Sequence, residues 1–157
     1  MALAIGAFMT LVLQTPLAEP GENGHAMPAG KDKCPVCGMF VTRYPDWTAT
    51  AVFRDGIVVF FDGPKDLFIY LADLKRYDSR HSRDDIKALS VMDYYAVNPI
   101  NGFAAFYVIG SDVHGPMGAE LVPFQDPADA REFLKDHQGK RLLRFKEVTP
   151  DVLETLR

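Results

Sequence analysis

The chain has 157 residues, 48% of them hydrophobic and 24% charged, and a formal net charge of -4. That is the composition of an ordinary folded protein of one domain, or of two small lobes, long enough to bury a real core. No Lys/Arg cluster is present to neutralise phosphates, which argues against a nucleic-acid partner and leaves small molecules, metals or other proteins.

Residues 1–18 carry no charge, and Ala2 to Leu13 is an apolar stretch of signal-peptide length, too short to span a bilayer comfortably. This predicts an exported protein with residues 1–18 as its leader, although the usual Lys/Arg at the front is missing and Leu17-Ala18 is a mediocre cleavage site. A frayed apolar terminus is the alternative. No cysteine follows closely, so lipid anchoring is not expected, while association with a membrane through an uncleaved leader or a partner stays open. From Glu19 to Asp32 the chain is mostly Pro, Gly, Glu, Asn and Ala, which cannot bury enough surface to order itself and reads as a linker. His25 and Met27 within it are read as solvated.

The densest chemistry follows at Cys34-Pro35-Val36-Cys37-Gly38-Met39, and there is no other cysteine. Thiolate and thioether sulfurs together favour Cu(I), whereas a closed structural zinc site normally takes four nitrogen or thiolate ligands. Other uses of Cys-x-x-Cys lack their context. Thioredoxin-like chemistry wants the motif to open a helix after a strand, but Cys34 leaves a linker; haem attachment wants His where Gly38 stands; a zinc knuckle wants a second ligand pair, and the histidines are scattered singly.

Beyond this turn, Trp47, Ala49, Ala51 and Phe53 alternate with Thr48, Thr50, Val52 and Arg54, the period of a half-buried strand. Asp55-Gly56 turns the chain into a return strand over residues 57–61. A helix starts at Asp62 or Gly63 as cap with Pro64 in its first position, and buries Leu67, Phe68, Leu71 and Leu74. Residues 76–85 read as an exposed connector that leaves His81 in solvent. Phe61-Asp62-Gly63-Pro64-Lys65-Asp66 then returns as Phe124-Gln125-Asp126-Pro127-Ala128-Asp129, a constant offset of 63. Strands are expected at 90–97, 103–109 and 119–124, with Met92 as strand core, before a second helix from Pro127 to about His137. A strand over 141–148 and a C-terminal helix over 149–157 complete the chain. The fold class expected is α+β, with two related small β-β-α type lobes (about 33–75 and 86–148) forming one compact unit.

An open site needs a further donor from far along the chain. The glycine-rich segment 110–118 offers one, since His114 and Met117 lie there with no evident core role, His114 reading equally as a solvated loop residue. Cys34 is ambiguous among ligand, resolving thiol and disulfide partner of Cys37, the last favoured by an oxidising compartment.

The residues Cys34 to Val41, Tyr44-Pro45 with Trp47, Phe60 to Asp66, and Gly115-Pro116-Met117-Gly118 with Glu120 resemble the NosL family of nitrous oxide reductase accessory proteins. The resemblance runs from about Lys33 to Val148. It implies a duplicated α+β fold carrying one Cu(I), with Cys37 and Met39 at the family's Cys-Gly-Met ligand positions and Met117 as distal donor. It further implies a periplasmic metallochaperone, not an enzyme, that hands copper to an acceptor or membrane transporter complex maturing nitrous oxide reductase in denitrification. Many family members are lipoproteins, a feature without a matching cysteine here. The rival readings are a thiol-dependent redox or organometal-cleaving enzyme, for which no base stands near Cys37 in sequence, and a structural zinc or disulfide module that binds a protein.

Overall fold

The computed structural model describes residues 26–157; the expected leader at residues 1–18 and His25 lie outside the described residues. Among the described residues no helix is long and apolar enough to cross a membrane. The fold is α+β. Strands β1 (Ala49–Phe53) and β2 (Val58–Phe61) form the expected hairpin, and helix α1 (Pro64–Ala72) follows with a short α2 (Leu74–Tyr77). Strands β3 (Ile86–Met92) and β4 (Pro99–Asn101) complete a four-stranded sheet in the order β2-β1-β3-β4. The second sheet takes β5 (Phe106–Ile109) between β8 (Val122–Phe124) and β9 (Arg141–Arg144), backed by α3 (Pro127–Asp136). A small hairpin, β6 (His114–Gly115) with β7 (Gly118–Ala119), projects between β5 and β8 in sequence, and α4 (Pro150–Glu154) closes the chain.

Several local expectations shift. Strand β1 is buried at every position rather than on one face: it is the inner strand between β2 and β3, and α1 packs against it. Trp47 precedes it in a 3-10 turn and packs on Tyr94. The strand expected at 90–97 begins and ends earlier and pairs with β1, since Ala51 finds Leu89 and Thr50 finds Ser90 across the ladder. Met92, at its end, is half-buried and lines a surface cavity of about 270 Å³ together with Met27, so it is not a core residue.

Two apolar clusters share a wall. Strand β5 sends Tyr107 and Ile109 into the larger core, with Phe61, Leu67 and Leu121, and Val108 into the smaller one, with Val122, Phe124 and Phe133. The two-residue period of a strand makes this possible, and it is what joins the lobes. The repeated motif has the same local form twice: Phe61 and Phe124 are fully buried at strand ends, and Pro64 and Pro127 each open a helix. The copies differ at the cap. Asp126 accepts a hydrogen bond from the Ala128 N–H at 2.7 Å, whereas the equivalent N-cap of α1 is Gly63, with no side chain to offer.

The connector is less exposed than its composition suggests. His81, with 8% of its side chain accessible, stacks on Phe53 and bonds Asp78 through Nδ1 at 2.6 Å and Asp55 through Nε2 at 3.0 Å. These bonds, first to Asp78 and then to Asp55, raise its pKa above the ordinary 6.5. Its contribution to stability is therefore complete below pH 6.5 and disappears as pH rises through the higher folded value. His81→Leu is expected to lower the melting temperature more at pH 5.5 than at pH 9; equal losses at both would show that only its packing on Phe53 matters.

Candidate metal centre

The segment Cys34–Met39 folds back on itself. Cys34 N–H donates to Met39 O at 2.9 Å, Gly38 N–H donates to Cys34 O at 2.9 Å, and Lys33 bridges Phe40. Gly38 takes φ +80°, a left-handed conformation that a residue with a Cβ adopts only at a cost, so the glycine permits the turn. Both thiols then face the start of α1. Cys34 Sγ donates to Asp66 Oδ2 at 3.1 Å, and Cys37 Sγ donates to Asp62 Oδ1 at 3.3 Å. One donor atom from each of these four residues lies within 4.8 Å of all the others.

The electrostatics of this tetrad are those of a site built for a positive charge. Cys34 is 1% exposed and Cys37 is half-buried; both are free thiols. Burial, reinforced by the neighbouring carboxylates, pushes the Cys37 thiol up to about 12 and Cys34 further still. Asp66 is likewise raised, chiefly by burial. Asp62 Oδ2 is buried and finds no hydrogen-bond partner among the described residues. A buried acceptor without a partner is costly, and a carboxylate in that state is stabilised by any cation that reaches it. Thiols and carboxylates are groups that bind a metal ion by giving up their protons, so this tetrad has the donors of a candidate metal site.

The other residues singled out in the sequence fall as follows. Met39 belongs to the same turn as the thiols and is half-buried, its carbonyl occupied by Cys34 N–H. Met117 lies at the tip of the β6–β7 hairpin, 46% exposed, and its carbonyl accepts from Lys65 Nζ at 2.7 Å. Lys65 directly precedes Asp66, so the hairpin is seated on the same stretch of α1 that meets the thiols. His114 is exposed on the first strand of that hairpin, paired with Ala119. The rings of His81 and His137 are engaged elsewhere, on Asp78, Asp55 and Asp112.

Asp62 and Asp66 are the residues that sequence reasoning missed. Of the two cap candidates, Asp62 and Gly63, it is Gly63 that occupies the N-cap, and the Asp62 carboxylate turns to Cys37 instead. The signal was available in the repeat: the acid of the second copy that does cap, Asp126, aligns with Gly63 and not with Asp62, which aligns with Gln125.

The NosL family model matches residues 26–153. The chain belongs to the NosL family. A copper-binding lipoprotein NosL from Stutzerimonas stutzeri is 31% identical over 124 residues, 78% of this chain and 65% of that protein, so the chain spans less than two thirds of that relative's length. The crystal structure of the copper chaperone NosL from Shewanella denitrificans superposes with a TM-score of 0.67 at 28% identity, covering 81% of this chain and 97% of that one. Both NosL relatives carry the names of binding proteins, not of enzymes.

Proposed function

We propose that this NosL-family chain is an exported Cu(I) carrier whose cargo sits on the Cys34–Met39 turn, with Cys37 as the principal thiolate, Met39 and Met117 as thioether donors, and Cys34 as the buried companion thiol. The observation that carries the reading is the pair of free thiols turned onto the buried carboxylates of Asp62 and Asp66. Sulfur suits Cu(I), while carboxylate is a hard donor and a poor ligand for it, so the two acids serve by holding thiol protons and balancing charge. His114, exposed on the hairpin, is an auxiliary donor during hand-over. The relatives named for copper support the choice of metal, and the lipoprotein name supports export to the periplasm.

A carrier must hold its ion against water and still release it. Cys37 is half-buried where Cys34 is closed off, and Met117 is 46% exposed, so an acceptor can replace the thioether ligands first and Cys37 last. The filled d shell of Cu(I) imposes no strict geometry on that exchange. The recipient we infer is the copper-acceptor or membrane transporter complex of nitrous oxide reductase maturation, with no covalent chemistry by this chain.

Two thiols and two carboxylates also make a four-donor set that a tetrahedral Zn(II) accepts, which is the second reading. Metal content after purification under reducing, anaerobic conditions separates them. Copper near one per chain, displacing zinc when both are offered, is the expected result; zinc retained against excess Cu(I) would overturn the copper reading.

A further inference from the structure

Helix α1 lacks a cap of its own, and the carboxyl that replaces it comes from the far side of the hairpin. Lys65 N–H donates to Glu120 Oε1 at 2.5 Å, the same backbone position that Asp126 serves in the second copy. Glycines make room for this carboxyl on both sides. A Cβ at Gly63 would stand 2.5 Å from Glu120 Oε2, and one at Gly115 would stand 2.8 Å from the same oxygen.

The side chain of Lys65 completes the connection in the opposite direction. It is 6% exposed, and its ammonium donates to Met117 O at 2.7 Å, Ala119 O at 2.8 Å and, more weakly, Leu156 O at 3.4 Å. An ammonium has three donors, and three carbonyls take them up. The hairpin so gripped has only two paired positions, His114 with Ala119 and Gly115 with Gly118. A two-stranded ribbon of that size does not hold a fixed position by itself in water.

We propose that Lys65 and Glu120 are positioning residues, a two-way clamp that holds the Met117 hairpin against the start of α1 and so presents Met117 to the Cys34–Cys37 turn before metal arrives. The inference rests on the reading of Met117 as a sulfur donor. Its physical content is preorganisation: the entropy of fixing the hairpin is spent in folding and does not subtract from the binding of the ion. Outer partners that orient metal ligands are typically worth about 10- to 100-fold in affinity, and the clamp belongs to that class.

The test is a Cu(I) competition titration against a chromophoric chelator, with X-ray absorption to count sulfur at copper, on wild type, Met117→Ala, Lys65→Leu and the double variant. Expected is a loss of about 10- to 100-fold for Lys65→Leu with one sulfur fewer at copper, and no further loss in the double variant beyond Met117→Ala. Lys65→Leu with wild-type affinity and sulfur count, or losses that add in the double variant, would overturn the clamp while leaving Met117 a ligand. A Met117→Ala protein that binds as tightly as wild type removes the ligand and the clamp's role together, and does so without reference to Lys65. If Lys65→Leu gives no folded chain, Lys65→Gln, which keeps a shorter donor, is read in its place by the same outcomes.

Discussion

Cys37→Ser is expected to bind Cu(I) more weakly than wild type by well over the 10- to 100-fold that loss of an outer partner costs, while the metal-free protein unfolds at nearly the same temperature. The two halves of this result follow from one substitution. A serine hydroxyl can still donate to Asp62 Oδ1, as the thiol does at 3.3 Å, and Cys37 is only half-buried, so packing changes little. What disappears is the soft donor, replaced by an oxygen for which Cu(I) has little preference. Cys34→Ser makes the informative comparison. Cys34 is 1% exposed and packs in the larger core, so this variant should lose stability as well as affinity. Anaerobic competition titration with thermal unfolding of the same samples reads both effects. Undiminished affinity in Cys37→Ser would remove the thiolate from the site and the carrier reading with it.

Much of this architecture is legible in the sequence because it is local. Proline in the first turn, an apolar stripe and a dipeptide turn specify α1 and the β1–β2 hairpin within a few residues, and the offset of 63 finds the same buried strand end and helix start twice. The pairing of β3 with β1 is another matter. It is decided by which neighbour can cover Leu89 and Val91, both fully or nearly fully buried, and no residue near them in sequence says so. The site divides in the same way. Cys34, Cys37 and Met39 announce themselves by softness and spacing, whereas Asp62 and Asp66 look like a cap and a first-turn acid, the ordinary use of those positions. Only the fold shows that Glu120 supplies the carboxyl that caps α1 at the Lys65 N–H, and that Asp62, one residue before the N-cap, faces Cys37. His81 was misplaced for a similar reason: Arg, Asp and Ser around it suggest solvent, but its partners Asp55 and Phe53 come from a strand and turn well upstream.

Glu120→Ala is expected to destabilise the metal-free fold by roughly 2–6 kcal/mol in chemical denaturation, since it leaves two buried N–H donors, those of Lys65 and Leu121, at about 1–3 kcal/mol each. Glu120→Gln should be much milder. Burial pushes this carboxyl up to about 8 from an ordinary 4.5, so at neutral pH it is largely protonated, and an amide reproduces that form with an oxygen to accept and an NH2 in place of the O–H. The sign of the linkage follows. Between pH 4.5 and about 8 the folded chain keeps a proton on Glu120 that the unfolded chain has released, so this residue's contribution is complete below pH 4.5 and declines as pH rises through 8. Glu120→Gln should therefore flatten the fall in stability between pH 5 and 8. An unchanged pH profile would mean that Lys65, whose ammonium partly offsets the burial, keeps the carboxylate ionised in the folded state. In that case Glu120→Gln would remove a buried negative charge that offsets the Lys65 ammonium through space, the ammonium's own donors being taken by three carbonyls, and would lose stability rather than keep it.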